Sequence, residues 1–177
     1  MDSDTDDAAL ASRAVAGDRA AFAALVTRHY DLIFRVAWRS LGDRADAEDV
    51  AQDVCVKLGR AMRSWSGRGA FSSWVCSVTL NAARDARRRA LAERGKRDAW
   101  AREPRDEGTD EETPIAAMWA AVRALPDKQR EAVTLVHGEG LSHAEAAAAM
   151  GCAETTVSYH VHAARKRLKV MMAEEEA

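Results

Sequence analysis

Apolar residues return at steps of three and four along most of the chain, the spacing that lines one face of an α-helix. Phe22, Leu25, Val26, Ile33, Val36 and Ala37 form one such stripe, with Asp18 placed to cap its start and Gly42 to end it. Asp43–Met62 repeats the pattern, with Ala47, Val50, Ala51, Val54 and Leu58 inward and Asp46, Asp49, Gln52, Asp53 and Lys57 outward. A glycine-bearing loop, Ser64 to Phe71, leads into a helix through Trp74, Val78 and Asn81 that runs on to Arg84, Arg87, Arg88 and Arg89. Ile115, Met118, Trp119, Val122 and Leu125 predict a short helix stopped by Pro126. Asp127 is placed to cap the next helix, which passes Val133 and Val136 and ends at Gly138-Glu139-Gly140. Ser142-His143-Ala144-Glu145 reads as a capping box opening a helix that Gly151 closes. A last helix, Thr155–Met172, turns Val157, Val161, Ala164 and Leu168 inward. The expected fold is all-α.

Composition agrees with that expectation: of 177 residues 38 are alanine, the strongest helix former. Residues 98–114 hold Pro104, Gly108 and Pro114 among acids with no apolar period, the pattern of a flexible acidic linker. The expected organisation is two small helical domains, 1–97 and 115–177, on either side of it.

Charge changes the picture more than its sum of −2 suggests. Residues 60–97 carry 10 Lys/Arg against 2 Asp/Glu, whereas residues 1–59 carry 7 against 11 and residues 98–115 carry 2 against 7. A basic block inside an acidic chain is either a solvated helical face or an electrostatic footprint for nucleic acid. Trp65, Phe71 and Trp74 interleave with its cations, and rings beside guanidinium groups suit single-stranded DNA, which favours the footprint. The two helices joined at Gly151 predict a helix-turn-helix whose second helix enters a major groove.

Other chemistry is poorly served. No Ser/His/Asp set, phosphate-binding glycine loop or paired carboxylates point to an enzyme. Cys55, Cys76 and Cys152 are scattered, the pattern of reduced core thiols. His160 and His162 lie two apart and face different ways on a helix, so no metal or other cofactor is expected. No apolar run reaches membrane-spanning length, and the acidic start Met1 to Asp7 is unlike a signal peptide, so a cytoplasmic protein is expected.

The order of these pieces resembles bacterial RNA polymerase sigma factors of the extracytoplasmic-function (ECF) subclass, over about residues 15–172. Gly42 to Asp53 resembles the family's polymerase-clamp helix, and Gly67 to Trp74 with Asn81 its −10 segment. Leu125 to Glu131 with Gly140-Leu141-Ser142 resembles its −35-binding domain. The resemblance implies a promoter-specificity subunit with no catalytic residues. Its implied partners are core RNA polymerase (clamp helices of the largest subunit, and the flap), promoter DNA and an anti-sigma factor. Asp46, Asp49, Gln52 and Asp53 would then face the clamp helices. Trp65, Arg68, Phe71 and Asn81 would line or support the flipped-base site, with Arg84, Arg87 and Arg88 on the strand. Thr155, Thr156, Ser158, Tyr159, His162, Arg165 and Lys166 would meet −35. The chain departs from the family's pattern in having Cys76 and Ser77 after its Trp-Val pair, non-basic Ser158 and Ala163, and Ala153 where a polar cap is usual. Two alternatives are a free-standing helix-turn-helix regulator, which leaves the clamp-like helix unexplained, and a sigma-mimicking protein, which has no use for the basic block.

Overall fold

Asp18 accepts the backbone N–H groups of Ala20 and Ala21 and starts a long helix, α2 (Arg19–Leu41), while Gly42 ends it at φ +83° by donating to Trp38 O at 2.8 Å. The computed structural model describes residues 3–67, 69–97 and 113–175. A helix that the apolar pattern did not predict precedes α2: α1 (Ser3–Val15), whose Ala11 and Asp7 are both 1% exposed. Asp43 caps α3 (Arg44–Ala61) by accepting from Asp46 N at 2.8 Å, and a 3₁₀ turn, Met62–Ser64, brings the chain to the loop before α4 (Phe71–Arg97). Helices α1 to α4 share a core in which Leu25 and Ile33 meet Val50, Val54, Leu58 and Phe71.

Thr113 caps α5 (Pro114–Ala124), and α6 (Asp127–Val133) follows. Here the expected cap is corrected: Asp127 is the first helical residue, and its carboxylate accepts from Arg130 Nη2 at 2.5 Å instead of from the helix start. Arg130 is buried, and it also donates to the Arg123 and Leu125 carbonyl oxygens, so it needs that carboxylate more than the exposed N–H groups do. Nor does α6 continue unbroken through Val136, because Thr134–Gly138 widens into a π turn closed by Glu139 N on Thr134 O at 3.0 Å. The Ser142 capping box then opens α7 (His143–Met150), Gly151 closes it, and α8 (Glu154–Glu175) ends the described chain. Trp119, Val122, Leu125, Val133 and Ala164 form the core of this second unit.

The two units pack on one another. Val36, Cys76 and Leu80 of the first join Ala132, Leu135, Ala146 and Val157 of the second in one buried cluster. The expected linker lies, up to residue 112, outside the described residues; Thr113 and Pro114 already belong to the start of α5. At the edge of the shared cluster Arg39 stacks 4.8 Å from the Trp119 ring centroid and pairs with Glu139, which Arg35 meets from the other side at 3.0 Å. Gly138 makes room for this, since a Cβ there would sit 2.9 Å from the Trp119 ring and 3.1 Å from Arg39. Glu139→Ala should therefore lower stability by about 2 kcal/mol, below the full cost of breaking a buried pair because Arg35 is half exposed. The urea midpoint of the full chain measures this; a shift under a few tenths of a kcal/mol would show that the carboxylate carries no share of the closure.

Candidate nucleic-acid interface

On α3, residues 46, 49, 53 and 56 follow steps of three and four, with 52 beside them, so they share one face. Asp46, Asp49, Gln52 and Asp53 are all exposed there, and Asp53 makes a long 3.8 Å pair with Lys57. The same face holds Val56, 79% exposed, which reading the sequence missed. The signal was present: an apolar residue at i+3 from Asp53 and i+7 from Asp49, off the buried stripe. The arrangement is an acidic ridge with an apolar spot, suited to a partner that offers cations around an apolar side chain.

The aromatic loop is more closely packed than its sequence suggests. Phe71 is 1% exposed, so it supports the loop from below and cannot itself touch a base. Trp65 is half-buried: it stands edge-on to Phe71, centroids 5.2 Å apart and planes at 90°. Trp74 lies on the other side of Phe71 at 5.3 Å. Trp65 lines a cleft together with Ser66 and Gly67, and its buried Nε1 has no hydrogen-bond partner among the described residues. Arg68 lies outside the described residues.

Along α4 the expected strand-holding side chains follow on, but not free. Asn81 is exposed and accepts from Arg84 Nη1 at 2.9 Å. Arg84 also reaches Glu131 of α6 through Nε at 3.0 Å and Nη2 at 2.6 Å. Arg87 meets Asp127 at 3.3 Å, and exposed Arg88 pairs with Asp85 at 3.0 Å. Two of the three cations are thus held by carboxylates of the second unit.

On α8 the outward face gathers Thr155, Ser158, Tyr159, His162, Arg165 and Lys166, all exposed, with Thr156 half-buried at its flank. Val157, Val161 and Ala164 are buried opposite, as expected, and Leu168 is half-buried. Ser158 is already engaged, with its hydroxyl 2.7 Å from His143 Nδ1 and 3.2 Å from the Glu154 carbonyl oxygen. Burial first, and then nearby Arg165 and the His143 ring, hold His137 below the usual histidine range. The face can therefore offer hydroxyls, an imidazole and two terminal cations to a duplex, a weaker code than a bidentate arginine.

Ser142 fixes how α7 presents α8. Its hydroxyl and backbone N–H both donate to Glu145 Oε2 at 2.7 Å, and Glu145 N donates back to Ser142 Oγ at 3.2 Å. These donors, the hydroxyl first, hold the Glu145 carboxyl below its ordinary value of 4.5. A group whose folded pKa is depressed stabilises the fold above its unfolded value, and the stabilisation is lost as pH falls through the folded one. Ser142→Ala should cost about 1 kcal/mol at neutral pH and less near pH 3, read as the difference in melting temperature from the parent chain. A penalty that is equal at both values would refute the linkage.

Among the described residues no group of His, Cys, Asp and Glu is placed to hold a metal ion, and no helix is long and apolar enough to cross a membrane. Comparison with known proteins matches the family described as Sigma-70 region 2 to residues 25–93 and Sigma-70, region 4 to residues 115–168. The chain is 37% identical over 162 residues to the ECF RNA polymerase sigma factor SigM of Mycobacterium tuberculosis, covering 92% of this chain and 82% of that one. It is 31% identical over 180 residues to the RNA polymerase sigma-H factor of Pseudomonas aeruginosa, covering 92% and 91%. Among solved structures it resembles CnrH in complex with the cytosolic domain of CnrY, with a TM-score of 0.71, 27% identity, and coverage of 96% of this chain and 98% of that one.

Proposed function

Because the chain belongs to the ECF RNA polymerase sigma factors, we propose that it directs core RNA polymerase to its promoters by three surfaces, with a fourth contact controlling it. The observation that carries this reading is that the two matched regions fall on the two helical units, and each unit presents exposed side chains of the needed chemistry. The α3 ridge, Asp46, Asp49, Gln52, Asp53 and Val56, docks on the basic clamp helices of the largest polymerase subunit. Trp65, supported by Phe71, stacks beside an unpaired −10 base, while Asn81, Arg84, Arg87 and Arg88, with Arg68, follow the strand. The α8 face from Thr155 to Lys166 meets −35 as duplex. The chain contributes recognition and strand separation, and the chemistry of RNA synthesis belongs to the polymerase. An anti-sigma factor is its proposed regulator, in keeping with the solved complex that it resembles.

Geometry adds a step. The −10 and −35 elements are about 25 base pairs apart, or about 85 Å of B-form duplex, at roughly 3.4 Å per pair. A compact chain of this length has a radius of gyration of about 16 Å. The closed arrangement therefore cannot serve both elements. Binding must part the shared cluster around Val36, Cys76 and Leu135 and release Arg84 and Arg87 from Glu131 and Asp127.

The direct test is run-off transcription with core polymerase on a promoter pool. Asp53→Arg should weaken core binding by at least about tenfold while moving stability by no more than about 0.5 kcal/mol, since the residue is exposed. Val56→Asp should weaken it similarly, and unchanged affinity in both variants would reject the ridge as the docking face. The opening step has its own probe. Burial, with the nearby Glu139 charge, pushes the Cys76 thiol up to about 12, so in the closed chain it is both covered and un-ionised. In a chain carrying Cys55→Ser and Cys152→Ser, alkylation of Cys76 should accelerate at least about tenfold when core polymerase and promoter are added, as read by mass spectrometry of the labelled peptide. An unchanged rate would mean that the units stay together.

A further inference from the structure

The proposed melting loop is tied to a part of the chain that none of the three surfaces uses. Asp7, on α1, is 1% exposed and has both carboxylate oxygens occupied: Oδ1 accepts from Arg28 Nη1 at 2.5 Å, and Oδ2 lies 2.7 Å from His29 Nε2. His29 is itself buried on α2, between Leu25 and Ile33 in the apolar stripe. Its ring lies 5.2 Å from that of Phe71, tilted by 54°, and Phe71 in turn meets the edge of Trp65. Hydrogen bond and ring contacts thus run without a break from α1 to the loop. A cavity of about 380 Å³ opens alongside, with Ala11, Ser12 and Val15 of α1 on one side and Arg63, Trp65 and Gly67 on the other.

An apolar pair of the same volume would serve stability at least as well, because a buried acid and imidazole must first be desolvated. What the hydrogen bond adds is direction. It allows the imidazole one rotation about its side-chain axis, and neighbouring rings hold their tilt only against a fixed surface. Building on the sigma-factor reading above, we propose that Asp7 and His29 are positioning residues for promoter opening. Their hydrogen bond orients His29 against Phe71, which in turn fixes the Trp65 ring, and it docks α1 as the far wall of the cleft beside that ring.

The test uses full-length chain with core polymerase on a promoter drawn from the run-off pool, with a fluorescent base in the −10 element to follow opening. Asp7→Asn should slow opening about tenfold, roughly the worth of one oriented hydrogen bond, while core affinity stays within about twofold. His29→Phe, which fills the space without the hydrogen bond, should slow opening equally. In a Trp65→Ala background Asp7→Asn should have no further effect, because the acid acts through that ring. The proposal is overturned if the two losses multiply in full, if core affinity falls in step with opening, or if His29→Phe opens promoters at the parent rate. Should Asp7→Asn fail to fold, His29→Phe reads the same link. If neither variant unfolds cooperatively, the pair serves stability alone and the proposal fails. A parent chain that opens no promoter with core polymerase overturns the sigma-factor reading along with this one, whereas the other failures leave that reading standing.

Discussion

Glu139 keeps only 3% of its side-chain surface in water, and a carboxylate so placed costs several kcal/mol unless cations meet it with good geometry. Both cations come from the other unit, Arg35 and Arg39 of α2, and the second is held in turn by the Trp119 ring. The requirement reaches far into the fold. The π turn at Thr134–Gly138 is what carries Glu139 to α2, and Gly138 is what lets Trp119 and Arg39 close over it. Once these are in register, Val36, Cys76 and Leu80 face Leu135, Ala146 and Val157 and not water. Apolar contact supplies most of the attraction between the units, but it is non-directional. The ion pair sets the angle at which they meet.

The outer contacts of that closure suit the proposed exchange. Two further polar contacts join the units: Arg87 with Asp127, each more than a third exposed, contributes little net stability, whereas Arg84, also more than a third exposed, meets a Glu131 that is buried and also holds Lys128. Replacing each carboxylate by a phosphate keeps the cation paired throughout, and buried Glu131 keeps Lys128 at 3.1 Å when Arg84 leaves it. Glu139 is different, because parting the units leaves its carboxylate to be rehydrated while both arginines lose their partner. In the proposed opening these outer pairs would set how readily DNA competes, and Glu139 how much polymerase binding must contribute before it can.

Most of the helical framework could be read from the sequence because its signals are local. Asp18, the Ser142–Glu145 box, Gly42 and Gly151 mark helix ends through contacts within three or four residues, and the structure uses each of them. What escaped reading depends on partners distant in sequence. α1 has only a short apolar stripe, Leu10, Ala11 and Ala14, and it is placed by these against the core and by Asp7 on Arg28 and His29, 21 and 22 residues away. Asp127 looks like a cap until buried Arg130 claims it. Val36 and Leu80 sit at regular inward positions and so read as belonging to their own unit, although their neighbours lie beyond the linker. In the candidate interfaces, residue type located the α3 ridge and the α8 face, but not the half-burial of Trp65, which follows from where the Phe71 ring lies.

The basic block shows how far a charge argument reaches. Ten cations against two acids over residues 60–97 require opposite charge nearby, and the aromatic residues among them favour nucleic acid. The requirement does not say whose charge it is. In the closed chain part of it is met from within, since Glu131 and Asp127 hold Arg84 and Arg87. Non-specific DNA affinity comes almost wholly from such cations, each contributing through the counterions that it displaces. A chain that covers two of them with its own acids binds stray duplex less well than its composition suggests. In the proposed opening the same cations become available when polymerase draws the units apart, which would withhold the block from DNA until the chain sits on the enzyme that needs it there.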